Sequence, residues 1–461
     1  MPAPDTPHEL SHDQADALLR SRRFLVLLVI VSIVGVVVSL AAWCFLEGVF
    51  QIQEELYTHL PHALGYQSGP PKWWPLPILA IGALLVGLAI TRLPGNGGHV
   101  PAEGLAAGGA VSPKALPGIL LAGAATIGSG LVLGPEAPLI ALGSGLAAAM
   151  IGLARRDTPP QTMLLVAAAG SFSAVSFIFD SPLIAAALLI EATAIGGPRL
   201  RLVLVPGLLA AGIGSLISIG MGQFTGLSSK DYSLGALPLS AAPRPTIAAF
   251  GWTMALAIAV AAIICLALRG GMFTHRFISR RRLLALWPAI GLVIAALAIA
   301  FSQITGRGFE EVLFSGQDQL PGLVSQAGTW SVGALVWLIV FKGIGYSLSL
   351  GSLRGGPTFP AIFLGAAAGL IASHLPGFGI QAGVAVGLGA GVVAVLRLPL
   401  SAVVLATVLT APAGSNVEPL IIVGVTVAYI VSLVLSRPPA PEAATAARPA
   451  AAPEPASSSS Q

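Results

Sequence analysis

The chain has 461 residues, 55% of them hydrophobic and 9% charged, with a mean hydropathy of +0.87, whereas an ordinary soluble domain carries about 25% charged residues. That balance leaves no large soluble domain, and the formal charge of +4 comes mostly from arginines flanking apolar runs, where it bears on orientation in a bilayer rather than on nucleic acid. The runs are long and do not alternate, so the expected class is an all-α polytopic membrane protein embedded in lipid, not a barrel.

Residues 1–19 are polar and expected in the cytoplasm, followed by Arg20, Arg22 and Arg23 and an uncleaved first helix over residues 24–58. A second helix, 73–93, opens on Trp73 and Trp74 as interfacial anchors. The breaker segment from Pro94 to Pro101, with Asn96, Gly97, Gly98 and His99, is tolerable at membrane depth only where it lines a protein-walled cavity. Helices are then predicted over 113–133, from Glu136 to Arg155 and Arg156, and over 161–179, 181–195 and 200–221. Asp180 reads as an N-cap before Ser181 and Pro182.

A polar connection, 223–245, separates the halves. The second half is predicted as a helix over 246–268, a basic loop with Arg269, Arg276, Arg280, Arg281 and Arg282, and helices over 283–304, 329–350, 358–373, 379–396, 399–411 and 417–435. The Pro/Ala/Glu/Ser composition of 437–461 predicts a disordered tail, too short for a folded soluble domain. Cys44 and Cys265 are expected as buried small hydrophobes. No cofactor or metal site is expected.

The two halves share a motif. Gly134-Pro135-Glu136-Ala137-Pro138, continuing through Ile140 and Leu142 to Gly143, returns 222 residues later as Gly356-Pro357-Thr358-Phe359-Pro360, continuing through Ile362 and Leu364 to Gly365. Thr358 stands where the first copy has Glu136. Residues 181–189 parallel 398–406 in the same order. Duplicated halves, about 24–222 and 246–436, follow. If the two arginine clusters share the cytoplasmic side, their parity of crossings inverts one half relative to the other. Prolines fit the first turn of a helix, where free amides and the positive dipole end meet. Two such interrupted starts in corresponding halves point to an anion site at mid-membrane.

These residues resemble the CLC family of chloride channels and proton-coupled chloride exchangers, over about residues 24–436 and including the Gly387–Ser401 stretch. The resemblance implies a CLC-type inverted repeat of tilted and half-membrane helices, a homodimer with one pathway per subunit, and Glu136 as a gate whose carboxylate competes with the permeant anion. Candidate anion ligands are Asn96, Gly98, His99, Ala137, Thr358 and Phe359. Gly98 replaces the family's anion-coordinating Ser, and Pro357 removes one amide donor. The family's paired glutamates read Glu191-Ala192, and its central Tyr falls near Ala440, with no Tyr after Tyr429.

Simpler readings stand beside these: Glu136 as a helix cap, Glu191 as a hydrogen-bond partner for nearby backbone rather than a proton site, His99 as a loop residue, and Gly143-Ser144-Gly145 as close helix packing. The expected function is electrodiffusive transport of chloride or another small anion gated by Glu136. The alternatives are proton-coupled chloride or fluoride antiport and, remotely, a membrane-embedded enzyme, for which no nucleophile-and-base motif is present.

Overall fold

The computed structural model describes residues 12–104, 109–154, 159–193, 198–227, 233–281 and 283–436. The expectations for residues 1–11, Arg155, Arg156, Arg282, Ala440 and the 437–461 tail lie outside the described residues. Within them the helices are α1 (His12–Leu19), α2 (Arg22–Glu54), α3 (Leu60–Ala63), α4 (Pro75–Arg92), α5 (Leu116–Gly128), α6 (Glu136–Ala154), α7 (Pro160–Phe179), α8 (Pro182–Thr193), α9 (Pro198–Thr225), α10 (Ile247–Arg281), α11 (Leu286–Thr305), α12 (Gln319–Ser325), α13 (Val332–Ser352), α14 (Thr358–Ala372), α15 (Ile380–Leu396), α16 (Pro399–Leu409) and α17 (Glu418–Leu435). Among the described residues nine helical stretches are long and apolar enough to cross a membrane, and α8, α14, α15 and α16 form shorter apolar helices. This is a multi-pass integral membrane protein.

The duplication extends over the whole packing scheme. Helices α2, α4, α5, α6, α7, α8 and α9 correspond in order to α10, α11, α13, α14, α15, α16 and α17. Each neighbour relation recurs: α6 packs on α7 as α14 on α15, α2 on α9 as α10 on α17, and α5 on α6 as α13 on α14. Helices α4 and α8 pack against their own counterparts, α11 and α16, so both pairs sit where the halves meet.

Glycines set the closest approaches. A Cβ built on Gly365 would lie 2.1 Å from the Gly387 carbonyl oxygen, and one on Gly387 would lie 2.0 Å from that of Gly365. The first half repeats the contact with Gly143 and Gly170, at 2.5 and 2.3 Å. Close backbone approach of this kind holds helices together in lipid, where burial of apolar surface gives no driving force. Gly387→Ala should therefore force α14 and α15 apart and cost about 1–3 kcal/mol, read as earlier thermal unfolding in detergent. Gly212→Ala, in α9 with open space around it, should be neutral or stabilising by up to about 1 kcal/mol.

The turns also match. Helix α7 ends on Asp180 in the left-handed region (φ 46°) and α15 on Arg397 (φ 58°), each two residues before the proline that opens the next helix. Asp180 is thus a C-cap, not the predicted N-cap. An N-cap must be extended, which the residue before a proline favours, and the Ser181 hydroxyl accepts from the Ile184 amide at 3.4 Å.

Three further expectations are corrected. The predicted basic loop after residue 268 is helical through Arg281, because α10 stays packed on α13 and arginine is a good helix former that complements the dipole at a C-terminus. Trp74 is buried with its indole N–H donating to the Leu56 carbonyl at 2.8 Å, while Trp73 stays exposed. Cys265 is buried, but Cys44 is exposed on α2, whose outer face meets few other helices.

The predicted helix over 113–133 stops at Gly128, and residues 129–135 cross the interior without helical structure. Gln53 at the end of α2 and Tyr57 in the helical turn just after it donate to the Ile127 and Ser129 carbonyls, both at 2.8 Å, and so satisfy part of the α5 terminus. The Gly130 carbonyl accepts from the Phe314 amide at 2.7 Å. Lys342 of α13, fully buried, holds the segment around Phe314: its ammonium donates to the carbonyls of Leu313 (2.7 Å), Glu311 (3.0 Å) and Val312 (3.5 Å), and lies 4.5 Å from the centre of the Phe363 ring.

Candidate functional site

The two helix starts meet. Gly134 and Gly356 form an antiparallel bridge, the Gly134 amide donating to the Gly356 carbonyl at 2.8 Å and the Gly356 amide donating back at 2.6 Å. From this shared point α6 and α14 depart, each beginning with a Gly-Pro pair, so their electropositive ends lie side by side. Glycine at both bridge positions leaves the room that the Glu136 carboxyl occupies. A Cβ on Gly356 would fall 1.8 Å from Cδ of Glu136, and one on Gly134 would fall 2.2 Å from its Oε2.

Glu136 is 2% exposed, and its side chain crosses from the first half to the second. Oε1 accepts from the Thr358 amide at 2.5 Å, while Oε2 is buried without a hydrogen-bond partner among the described residues. The Thr358 hydroxyl is buried beside the carboxylate. A carboxylate occupies the field that two helix ends create. Phe359 stacks on Phe179 with ring centres 5.2 Å apart, forming an aromatic wall. Ala137 is half-buried, Pro138 packs against Gly123, and Pro360 is buried in the first turn of α14.

Pro357 has no amide to offer, but its carbonyl is fixed by the Tyr346 hydroxyl at 2.6 Å. Tyr346→Phe should leave that buried carbonyl unpaired and cost about 1–3 kcal/mol, measured by thermal unfolding in detergent. A cleft lined by Leu46, Phe50, Gln53, Pro135, Ser315 and Gln317, among others, reaches the start of α6.

The loop before α5 approaches the same junction from another direction. Gly95, Asn96, Gly97 and Gly98 all have positive φ, and the Gly98 amide donates to the Gly95 carbonyl at 2.8 Å. Asn96 is exposed, and the His99 side chain is partly so. The loop is tied to the second helix start by Arg354, whose Nε donates to the Asn96 carbonyl at 3.2 Å. Burial lowers the His99 pKa, a push that the Arg354 charge reinforces and that Glu103 and a hydrogen bond with the Gly104 backbone oppose. The His99 Nδ1 lies 3.8 Å from Glu103 Oε2.

Glu191 stands apart from this cluster at the end of α8. Its Oε1 accepts from the Leu400 amide at 3.0 Å, and its Oε2 accepts from the Ser401 amide and hydroxyl, both at 2.7 Å. Both oxygens are engaged at the N-terminus of α16. Three interior residues were missed in the sequence: Lys342, Tyr346 and Arg354. An ionisable group within an apolar run is itself a signal, and Lys342 carries it.

An internally duplicated, all-helical membrane protein with paired helix starts is the architecture of an ion-transport protein. The profile of the voltage-gated chloride channel family matches residues 82–433, and the chain belongs to that CLC family. It is 30% identical over 368 residues to YfeO of Salmonella newport, named as an ion-transport protein, covering 76% of this chain and 81% of that one. The crystal structure of a slow cyanobacterial Cl⁻/H⁺ antiporter superposes with a TM-score of 0.69 at 20% identity, over 89% of this chain and 95% of the other. A CLC-type fluoride/proton antiporter gives 0.64 at 17% identity, over 92% and 97%.

Proposed function

We propose that the protein conducts chloride or a similar small anion down its electrochemical gradient, with Glu136 as the gate. The observation that carries this reading is the Glu136 carboxylate seated against the Thr358 amide at the junction of two helix starts. A negative side chain in an anion's place acts as a plug that an anion or a proton can displace. Ala137 and Phe359 flank that position, and Thr358 adds a hydroxyl. Electrodiffusion is favoured over exchange because both Glu191 oxygens are committed to the α16 terminus and Ala192 follows it.

The second reading, proton-coupled antiport of chloride or fluoride, is favoured by the fold neighbours, both named as antiporters. Zero-current potentials of proteoliposomes under opposed anion and pH gradients separate the two. A potential set by the anion gradient alone supports conduction. One that moves with the pH gradient replaces it with exchange, and running chloride and fluoride in parallel gives selectivity.

A further inference from the structure

The second half offers few donors to the position that the Glu136 carboxylate fills. The Gly356 amide is spent on the Gly134 carbonyl at 2.6 Å and Pro357 has none, so the Thr358 amide is the first that α14 presents there. Its direction is set within its own peptide unit. A trans peptide is planar, with its C=O and N–H pointing opposite ways, and the 357–358 peptide is gripped on both edges. On one edge the Tyr346 hydroxyl donates to the Pro357 carbonyl at 2.6 Å, and on the other the Thr358 amide donates to Glu136 Oε1 at 2.5 Å.

A helix start of this kind forms without a phenol. In the first half the matching Pro135 carbonyl accepts from the Leu139 amide at 3.0 Å, and the residue 222 positions before Tyr346 is Ala124, which has no side-chain donor. Tyr346 belongs to α13 and is fully buried, so its hydroxyl must find a partner inside the protein, and that partner is the Pro357 carbonyl. A phenol has one proton to give. With it engaged, Tyr346 reaches the carboxylate through the peptide and not as a ligand. The bond does two things there. It keeps the negative end of the carbonyl turned away from the position an anion would take, and it polarises the peptide, which strengthens the N–H at the other edge as a donor.

We propose that Tyr346 is a positioning residue: through the Pro357 carbonyl it aims and strengthens the Thr358 N–H, and so sets how tightly a small anion is held once the Glu136 carboxylate has left. This role rests on the reading of that position as an anion site. Calorimetric titration of chloride into Glu136→Ala protein, which lacks the competing carboxylate, reads it. Adding Tyr346→Phe should raise the chloride dissociation constant about three- to tenfold, the effect of one hydrogen bond. Putting a ring-fluorinated tyrosine at position 346, nearly the same shape with a stronger donor, should lower it about twofold. Loosened packing does not tighten binding, so the fluorinated chain separates positioning from stability, and it decides alone where Tyr346→Phe does not fold. Unchanged affinity in either folded chain overturns the proposal. A Glu136→Ala protein that binds no chloride with tyrosine in place removes the anion site, and this role with it. Affinity that follows donor strength in a protein that passes no anion in proteoliposomes sinks the transport reading and leaves the role of Tyr346 standing.

Discussion

Glu136→Gln should raise anion efflux from proteoliposomes by about tenfold or more, the effect of removing ~1.4 kcal/mol or more from the barrier, and Glu136→Ala should raise it further. Glutamine keeps the shape of the side chain and removes its charge, so it still touches the Thr358 amide but no longer holds that position against an anion. Alanine also vacates the volume over Gly134 and Gly356. A helix cap would respond differently: losing it would lower the unfolding temperature and leave flux per folded molecule unchanged. Measuring both quantities on the same preparations separates plug from cap, and unchanged flux in well-folded Glu136→Ala protein rejects the gate.

Lys342→Met should lower stability in detergent by about 3 kcal/mol, the largest loss expected of a single substitution here. The ammonium is the donor for a run of carbonyls at Glu311, Val312 and Leu313, and methionine leaves them buried with no partner. Relief of the ammonium's own desolvation offsets part of that loss, which keeps the figure below the sum of the broken bonds. Segment 309–316 should loosen first, since it also carries the Phe314 amide that closes on Gly130. Faster amide exchange at Phe314 in the variant would show it, and an unchanged unfolding temperature would mean that the charge costs as much as the clasp returns.

Much of this architecture was legible in the sequence because the features that build it are local. A Gly-Pro pair starts a helix wherever it occurs, and two such pairs 222 residues apart in the same apolar context declare a repeat. The glycines of the interlock, Gly143 and Gly365, sat at that same spacing. Residues 129–135 were not legible as an extended crossing, since an apolar stretch buried on all sides reads the same whether helical or not. The continuation of α10 through its arginines is decided by contact with α13, which no local pattern records. Arg354 and Tyr346 were missed because their partners are the backbone carbonyls of Asn96 and Pro357, and backbone partners leave no trace in residue type.

The bridge between Gly134 and Gly356 also limits how the proposed pathway can open. Two reciprocal hydrogen bonds tie the roots of α6 and α14 together, so widening the gap by separating the helices would break both. Rotation of one side chain about its χ angles breaks neither. In the proposed gate, opening is then a swing of the Glu136 side chain on the nanosecond-to-microsecond scale of side chains and loops rather than the slower scale of rocking domains, and the aperture is bounded by the volume one carboxylate vacates.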